Sequence, residues 1–426
     1  MLLSVPGFGL AKAIPVGLSA LIAMTGAAVS ASAQSAVFAS VIELDLPVGP
    51  GAQEPSLATL ADGRVAMSWT EPAGRGFAVR TAIGDRAGWS EPRKVVQSDD
   101  LFVNWADFPI VATFADGTLA ISWLVENAKS SYAYDVNIAL SGDEGATWGE
   151  VIVPHEDRSK RQHGFVSLLP VEDRVLAVWL DARAYDTEAT GAAYDAFGNA
   201  MQLRATTIGV DGSLSEDVAL DVRTCTCCQT SAAVTGSGDV LVVYRDRTEG
   251  EIRDISIVRL SGGEWSEPEV VHADGWEISG CPVNGPAIDA GGDRAVVAWF
   301  TEANDVPAVN VVFSDDAGAS FGPAVRVDGG QGVGRVDVLL LDDGTALVSW
   351  VEWVGQAEAL TVCRAVFGGG CGARQVIAVN RVAGSMNFPR MVQGADGVYI
   401  AWTQPLPPGA GNPDLDLTVR MVLATF

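Results

Sequence analysis

Apolar runs separated by short polar turns recur along the whole chain, and residues 107–148 show the pattern most fully. There, apolar runs cover 108–114, 119–123 and 134–140, and a shorter run follows at 151–153. Asp116-Gly117 separates the first two runs, and this dipeptide favours a tight hairpin because Gly adopts positive φ without strain. The pattern predicts a four-stranded antiparallel meander.

The meander recurs at intervals of about 50–65 residues, a spacing typical of propellers and other repeat arrays. An aromatic residue ends the second strand of each unit, at Trp69, Trp123, Trp179, Tyr244, Trp299, Trp350 and Trp402. The runs are almost continuously apolar, as at 295–299, which is typical of strands buried on both faces. We therefore predict one all-β domain, a β-propeller of four-stranded antiparallel blades, with seven blades favoured and six as the alternative.

The last unit shows only three clear strands, the third of them at 418–425. Residues 37–46 supply an unused strand-like run near the other end of the chain. A ring closes when such a spare strand joins the incomplete sheet, because closure protects the sheet edges. We predict that this N-terminal strand completes the last blade.

Two segments share a Ser-x-Asp-x-Gly-x-Ser/Thr-aromatic pattern, at 141–148 and 314–321. This pattern resembles the Asp-box of the sialidase and BNR-repeat superfamily, and together with the repeat it implies a sialidase-like propeller. The resemblance implies that the boxes lie on the face opposite an active site. It is a weak guide to activity, because many members of the superfamily are not glycosidases. Sialidase domains have six blades, whereas this chain has seven units.

Composition narrows the class of protein. The 426 residues are 48% hydrophobic and 19% charged, which fits an ordered domain with a large core. The formal net charge of -26 argues against nucleic acid or an anionic membrane surface as a partner.

Residues 1–33 have the features of a signal peptide, with Lys12 as the only early charge and an apolar segment at 13–29. Ala31-Ser32-Ala33 resembles a cleavage site. We predict a mature domain at 34–426 that is exported, periplasmic or secreted, without a membrane span after cleavage. Disulfides persist in such compartments.

The cysteines cluster in the links between units, which lie at one face of a propeller. Cys225, Cys227 and Cys228 occupy one link and Cys281 the next. Disulfides are one interpretation, and a copper or zinc site that adds His272 is another. A redox-active pair is a third interpretation. Cys363 and Cys371 flank a Gly-rich turn, and we predict a disulfide between them.

Several arginines and acids fall on the same face. Arg245, Arg335 and Arg390 could converge on the central channel as receptors for a carboxylate. Other candidate ligand contacts are Arg247, Arg253 and Trp276, and the candidate catalytic groups are Asp107, Asp246 and Tyr244. All three histidines, His155, His163 and His272, also lie in links.

These features favour a binding or scaffold protein with a Cys-rich functional face. Its partner would be a small molecule, a glycan or another protein. The resemblance implies an alternative function, an exo-α-sialidase-like glycoside hydrolase with an arginine cluster. A thiol/disulfide redox protein is the other alternative.

Overall fold

The computed structural model describes residues 36–129, 132–185, 200–382, 384, 386–406 and 416–426. The predicted signal peptide at 1–33 lies outside these residues. Strand β1 (Ser40–Glu43) comes first in the described chain and belongs to the last blade. No helix in these ranges is both long and apolar enough to span a bilayer.

The strands form seven antiparallel sheets, numbered here as blades in chain order. Blade 1 contains β2 (Gln53–Thr59), β3 (Val65–Ala73), β4 (Gly76–Asp85), β5 (Gly88–Trp89) and β6 (Arg93–Ser98). Blade 2 contains β7 (Val111–Thr113), β8 (Leu119–Glu126) and β9 (Tyr134–Ser141). Blade 3 contains β10 (His163–Val171), β11 (Arg174–Asp181), β12 (Met201–Gly209) and β13 (Val218–Thr224).

Blade 4 contains β14 (Ser231–Val234), β15 (Val240–Arg245), β16 (Ile255–Ser261), β17 (Glu264–Trp265) and β18 (Glu269–His272). Blade 5 contains β19 (Ala287–Gly291), β20 (Arg294–Thr301), a 3-10 turn at Ala303–Asp305, β21 (Ala308–Ser314) and β22 (Val325–Arg326). Blade 6 contains β23 (Gly332–Leu340), β24 (Ala346–Val354), β25 (Ala357–Ala365) and β26 (Cys371–Asn380). Blade 7 contains β27 (Arg390–Gly394), β28 (Gly397–Pro405) and β29 (Leu417–Thr425).

The predicted fold is confirmed: the seven sheets form a β-propeller. Their innermost strands contact one another in the order β2, β7, β10, β14, β19, β23 and β27, and β27 returns to β2. The recurring aromatics lie within the second strands, which continue at least one residue beyond each of them, and not at the strand ends as predicted. Each is at most 4% exposed, because it packs between neighbouring blades. In blade 2 the predicted fourth strand is reduced to one bridge between Ile138 and Ile152.

Polar side chains on the innermost strands join neighbouring blades. Asp289 accepts the backbone N–H of Leu340 at 2.7 Å, and Asp337 accepts that of Met391 at 2.7 Å. These contacts satisfy backbone groups that face the channel, where no sheet neighbour is present. Hydrogen bonds between neighbouring blades therefore satisfy polar groups along the channel wall.

Strand β1 pairs antiparallel with β29, so blade 7 takes a strand from each end of the described chain. Phe38, just before β1, is 2% exposed and packs in the core between blades 6 and 7. Its backbone N–H donates to Gln375 Oε1 on β26 at 3.0 Å. The N-terminal segment therefore joins the last two blades.

The two segments that resemble Asp-boxes, 141–148 and 314–321, have the same turn geometry. Asp143 Oδ1 accepts the backbone N–H of Thr147 at 2.8 Å, and Gly145 donates its N–H to Ser141 Oγ at 2.8 Å. Gly145 has a φ of 84°, which a residue with a Cβ adopts only with strain. Asp316 and Gly318 repeat these contacts in blade 5.

Candidate functional site

A polar cavity of ≈ 200 Å³ lies among the innermost strands, and its lining includes Asp107, Ser167, Asp337 and Arg390. Blades 1, 2, 3, 4, 6 and 7 all contribute to it. A smaller cavity of ≈ 100 Å³ adjoins it, lined by Trp105, Asp107, Tyr134 and the Cys227–Cys281 pair among others. Asp107 faces both cavities, so the two spaces meet at this carboxylate.

Asp107 is 3% exposed, and both of its carboxylate oxygens accept hydrogen bonds. Its Oδ2 accepts the Tyr134 hydroxyl at 2.8 Å, and its Oδ1 accepts the Phe165 N–H at 2.7 Å. Gly164 allows this approach, because a Cβ there would lie 2.1 Å from Oδ2. Burial raises the pKa of Asp107 to about 7, despite the two donated hydrogen bonds. Asp107 can therefore carry a proton near neutral pH.

Glu54 is a second buried acid on the innermost strand of blade 1, 3% exposed. It accepts the Thr70 hydroxyl at 3.0 Å. Burial raises the pKa of Glu54 to about 8, and the nearby Asp107 carboxylate adds to the shift. The protonated form therefore prevails at neutral pH.

This shift predicts how stability changes with pH. Because the folded pKa of Glu54 lies above the usual value of 4.5, its contribution to stability is complete below that pH. The contribution is lost as the pH rises toward about 8. Glu54→Gln keeps an acceptor for Thr70 and should flatten the fall of Tm between about pH 5 and 9. Equal slopes for the two proteins would contradict the assignment.

Trp105, Phe108 and Arg390 line these cavities, and together with Arg335 and Phe388 they form what we call the arginine–aromatic cluster. The Arg335 guanidinium lies 5.2 Å from the Trp105 ring centroid, and that of Arg390 lies 5.0 Å from the Phe108 centroid. The ring centroid of Phe388 lies 5.9 Å from that of Trp105 and 5.8 Å from that of Phe108. Loops and strands of blades 2, 6 and 7 thus bring two guanidinium groups to one apolar surface.

Neither guanidinium has a close carboxylate in the described part of the chain. Arg335 Nη1 is 3.8 Å from Glu358 Oε2, and Arg390 Nη1 is 3.8 Å from Asp337 Oδ1. Glu358 instead accepts the N–H of Gly384 at 2.8 Å, and Asp337 accepts that of Met391. Arg335 Nη1 is buried without a hydrogen-bond partner. Burial lowers the pKa of both arginines, because their charges are only partly compensated.

The backbone at Arg335 is strained. Its φ is 57°, and the pairing of β23 with β24 shifts register between Gly334 and Asp337. The bulge is held because the Arg335 N–H donates at 2.8 Å to Asn284 Oδ1, in the link between blades 4 and 5. Bulges of this kind redirect a side chain, here toward Trp105.

The other predicted arginines lie elsewhere. Arg245 is 1% exposed and donates to three backbone carbonyls, those of Asn284, Arg253 and Phe300. Arg247 and Arg253 share the Glu251 carboxylate, at 2.8 and 2.7 Å. The structure therefore brings Arg335 and Arg390 together and uses Arg245 to join blades 4 and 5.

The remaining candidates belong to blade 4 and the link after it. The Tyr244 hydroxyl donates to Asp221 at 2.6 Å, and burial raises the pKa of Asp246 to about 6. Trp276 is 5% exposed, and the Arg245 guanidinium lies 4.9 Å from its ring centroid. Neither Tyr244 nor Asp246 lines the two cavities described above. Of the three catalytic candidates, Asp107 is the one that lines these cavities.

The clustered cysteines meet at the face that carries Trp105. Cys227 is bonded to Cys281, and Cys225 and Cys228 are buried thiols with sulfur atoms 2.7 Å apart. His272 instead contacts Asp274 at 3.0 Å and lies outside the three-cysteine group. A thiolate-bound copper or zinc ion at all four cysteines would require Cys227 and Cys281 to be reduced. Cys363 is bonded to Cys371 in blade 6.

Sequence reasoning missed Tyr134 and did not pair Trp105 with Arg335. Tyr134 is 1% exposed. Its hydroxyl donates a hydrogen bond to Asp107 and accepts one from Gln162 Nε2 at 2.7 Å. Tyr134 is the first residue of β9, where the sequence shows an ordinary buried position. Its hydroxyl is the only feature in the sequence that points to a role in a site. Trp105 is 40% exposed in a link, and its pairing with Arg335 depends on ring closure, which no local sequence pattern shows.

No protein-family model and no curated protein matches this sequence. Solved structures with a similar fold include the lectin BP39L from Burkholderia pseudomallei, with a TM-score of 0.53 and 12% identity over 82% of this chain and 96% of that chain. The polysaccharide lyase Uly1 has a TM-score of 0.51 and 8% identity, covering 88% and 90% of the two chains. The endosialidase of phage phi92 has a TM-score of 0.50 and 9% identity, covering 91% and 69%.

At these identities the similarity concerns the fold alone. The chain is a β-propeller, and solved propellers with a similar fold include a lectin, a polysaccharide lyase and an endosialidase. The function must be argued from the site.

Proposed function

We propose that the protein is an exported binding protein for an anionic oligosaccharide, which it holds at the arginine–aromatic cluster. The observation that carries this proposal is a pair of guanidinium groups, the buried Arg335 and the partly buried Arg390, each 3.8 Å from its nearest carboxylate. An uncompensated buried charge is costly, and an anion that completes its hydrogen bonds relieves that cost. A carboxylate or sulfate suits the guanidinium geometry.

The aromatic residues indicate a sugar as the carrier of the anion. Trp105 is 40% exposed and offers an apolar surface beside the guanidinium groups. Aromatic rings contact the apolar faces of ligands while nearby polar groups fix orientation. The polar cavity wall around Asp107 adds hydrogen-bonding groups for hydroxyls.

The net charge of -26 opposes any anionic ligand at long range. Screening limits that repulsion to roughly 8–10 Å at physiological ionic strength. Direct contact with Arg335 and Arg390 must therefore provide the selectivity for an anionic ligand. We expect the association rate to increase with moderate salt, because salt screens the surrounding acids.

A pair of matched ligands tests the proposal. An oligosaccharide of uronic or sialic acid and its carboxyl-reduced counterpart would be titrated against the mature protein by calorimetry. Binding of the acidic ligand alone is expected. Equal binding of the two ligands, or no binding of any acidic ligand in a glycan panel, would overturn the proposal.

Turnover would be measured on the same samples with a fluorogenic sialoside. We expect binding without hydrolysis, because Tyr244 is held in blade 4 and burial raises the pKa of Tyr134 well above its usual value. Neither phenol is thereby activated as a nucleophile. Turnover that Asp107→Asn abolishes would instead favour the glycoside hydrolase alternative.

A second candidate function is thiol–disulfide exchange, favoured by the position of Cys225. Its sulfur lies 3.8 Å from that of Cys227, which is bonded to Cys281. Burial opposes ionisation, but the Cys228 thiol and the Arg253 guanidinium outweigh it and lower the pKa of Cys225. The Cys225 thiolate can attack Cys227, form a Cys225–Cys227 bond and release Cys281 as a thiolate, without an external oxidant.

Disulfide mapping by mass spectrometry tests this exchange. After incubation at mildly alkaline pH and acid quenching, we expect peptides with a Cys225–Cys227 bond beside the Cys227–Cys281 form. Cys225→Ser should retain only the latter. The Cys363–Cys371 pair is an internal control, because no thiol lies near it among the described residues. A single unchanged pairing in the native sequence would exclude the exchange.

A further inference from the structure

A second polar cluster lies between blades 2 and 3, outside the cavities described above. It contains His155 in the link between these blades, His163 at the start of β10, and Asp135 on β9. The Asp135 Oδ1 atom is 3.2 Å from His163 Nδ1 and 3.7 Å from His155 Nε2. These two nitrogens and one oxygen lie within 4.8 Å of one another.

His155 presents a free nitrogen to this cluster. The side chain is 1% exposed, and its Nδ1 lies 2.7 Å from the carbonyl oxygen of Asp157. A carbonyl only accepts, so Nδ1 carries the proton and Nε2 carries a lone pair. Nε2 is buried without a hydrogen-bond partner. A buried acceptor of this kind indicates a missing partner.

His163 is oriented in a complementary way. Its Nε2 lies 2.9 Å from the Asp157 carboxylate and donates there, whereas Nδ1 lies 3.2 Å from both Asp135 Oδ1 and the Tyr134 carbonyl oxygen and would exchange its proton for a metal ion. Imidazoles that bind metals usually donate their other N–H to a carboxylate or a carbonyl, which fixes the tautomer. Asp157 provides both kinds of acceptor, its carbonyl to His155 and its carboxylate to His163.

From this arrangement we infer a binding site for a divalent transition-metal ion, most favourably Zn²⁺. The ligands would be His155 Nε2, His163 Nδ1 and Asp135 Oδ1. Two imidazoles and a carboxylate form a typical zinc ligand set, and a fourth position is left for water or another ligand. Asn127 Nδ2 donates to Asp135 Oδ1 at 2.7 Å and so orients this carboxylate.

The distances suit such an ion. Ligands about 2.0–2.1 Å from a tetrahedral Zn²⁺ are roughly 3.3–3.4 Å apart. The separations from Asp135 of 3.2 and 3.7 Å are close to that value. The two imidazole rings are stacked 3.9 Å apart and nearly parallel, so metal binding requires the ring planes to open toward the ion. Asp135 is 24% exposed and provides access from solvent.

The site would link neighbouring blades. Asp135 belongs to blade 2 and His163 to blade 3, so an ion shared by them would stabilise that junction. Tyr134, next to Asp135, also bonds to Asp107 at the cavities. The ion would thus hold the strand that positions Tyr134. This inference is independent of the proposed oligosaccharide binding.

The three histidines of the chain provide a matched test. The mature protein, stripped with chelator, would be titrated with Zn²⁺ in excess Mg²⁺, which occupies nonspecific acidic sites. We expect about one tightly bound Zn²⁺ per chain, lost in His155→Gln and His163→Gln and retained in His272→Gln. Asp135→Asn should weaken binding at least about tenfold. Zn²⁺ should raise Tm only in the proteins that bind it.

Co²⁺ distinguishes this site from the cysteines. Nitrogen and oxygen ligands should give visible d–d bands without the thiolate charge-transfer band that cysteines produce. Circular dichroism of metal-free variants reports whether they fold, and Asp135→Asn extends the test if a histidine variant does not. No tight Zn²⁺ binding, unchanged binding in His155→Gln, or a thiolate charge-transfer band in the cobalt protein would overturn the inference.

Discussion

Replacing Arg335 and Arg390 by Gln is expected to lower affinity for the acidic oligosaccharide by about 10- to 100-fold for each arginine, since a hydrogen bond to a charged group contributes roughly 1.5–3 kcal/mol. The double variant should bind the acidic and carboxyl-reduced ligands equally weakly. Lys at either position should restore only part of the affinity, because it keeps the charge and loses the planar pair of donors. Calorimetric titration of the single and double variants measures these differences.

Arg75→Gln is the matched control. Arg75 follows β3 of blade 1 and its side chain is 90% exposed. Removing this charge alters the net charge by the same amount without touching the arginine–aromatic cluster. We expect unchanged affinity. An equal loss in Arg75→Gln and Arg390→Gln would show that overall charge, and not the cluster, governs binding.

Phe38→Ala is expected to destabilise the fold by roughly 3–5 kcal/mol, the usual cost of truncating a buried Phe. Phe38 is 2% exposed in the core between blades 6 and 7, and its ring lies 5.4 Å from that of Phe426. The change leaves a cavity and loosens the segment that carries β1 to β29. Chemical denaturation with a tryptophan fluorescence signal measures the loss.

Ile42→Ala is the control on the same strand. Ile42 is 39% exposed and pairs with Leu423 through the backbone, which Ala retains. We expect a change within about 0.5 kcal/mol. A loss for Phe38→Ala no greater than that for Ile42→Ala would mean that the N-terminal segment contributes little to closure of the ring.

The architecture was accessible from sequence because its signals are local. Each hairpin turn and each buried aromatic, such as Trp299, depends on a few neighbouring residues. Recurrence of the unit then strengthens each local assignment. The Asp143 turn is predictable for the same reason, since the hydrogen bonds of the Ser141 and Asp143 side chains that shape it fall within 141–148.

The site was only partly accessible, because its geometry depends on ring closure. The sequence predicts that Arg245 and Arg335 lie on the same face, but carbonyls of neighbouring segments engage the first and a bulge redirects the second. The contact of Arg335 with Trp105 joins blade 6 to the link before blade 2. No local pattern encodes a pair so distant in sequence.

The histidine cluster shows the same limit. All three histidines fall in links or at their edges, so sequence alone treats them alike. The fold stacks His155 on His163 and leaves His272 beside Trp299, 5.6 Å away. Only the structure separates the paired residues from the third.

The central claim is that closure of the ring creates one anion-binding surface from residues of three blades. The most direct measurement is a crystal structure of the mature protein with a bound acidic oligosaccharide. We predict its carboxylate within hydrogen-bonding distance of Arg335 or Arg390, and a sugar ring against Trp105. A ligand bound only at the turns of 141–148 and 314–321 or along an outer strand would contradict the claim.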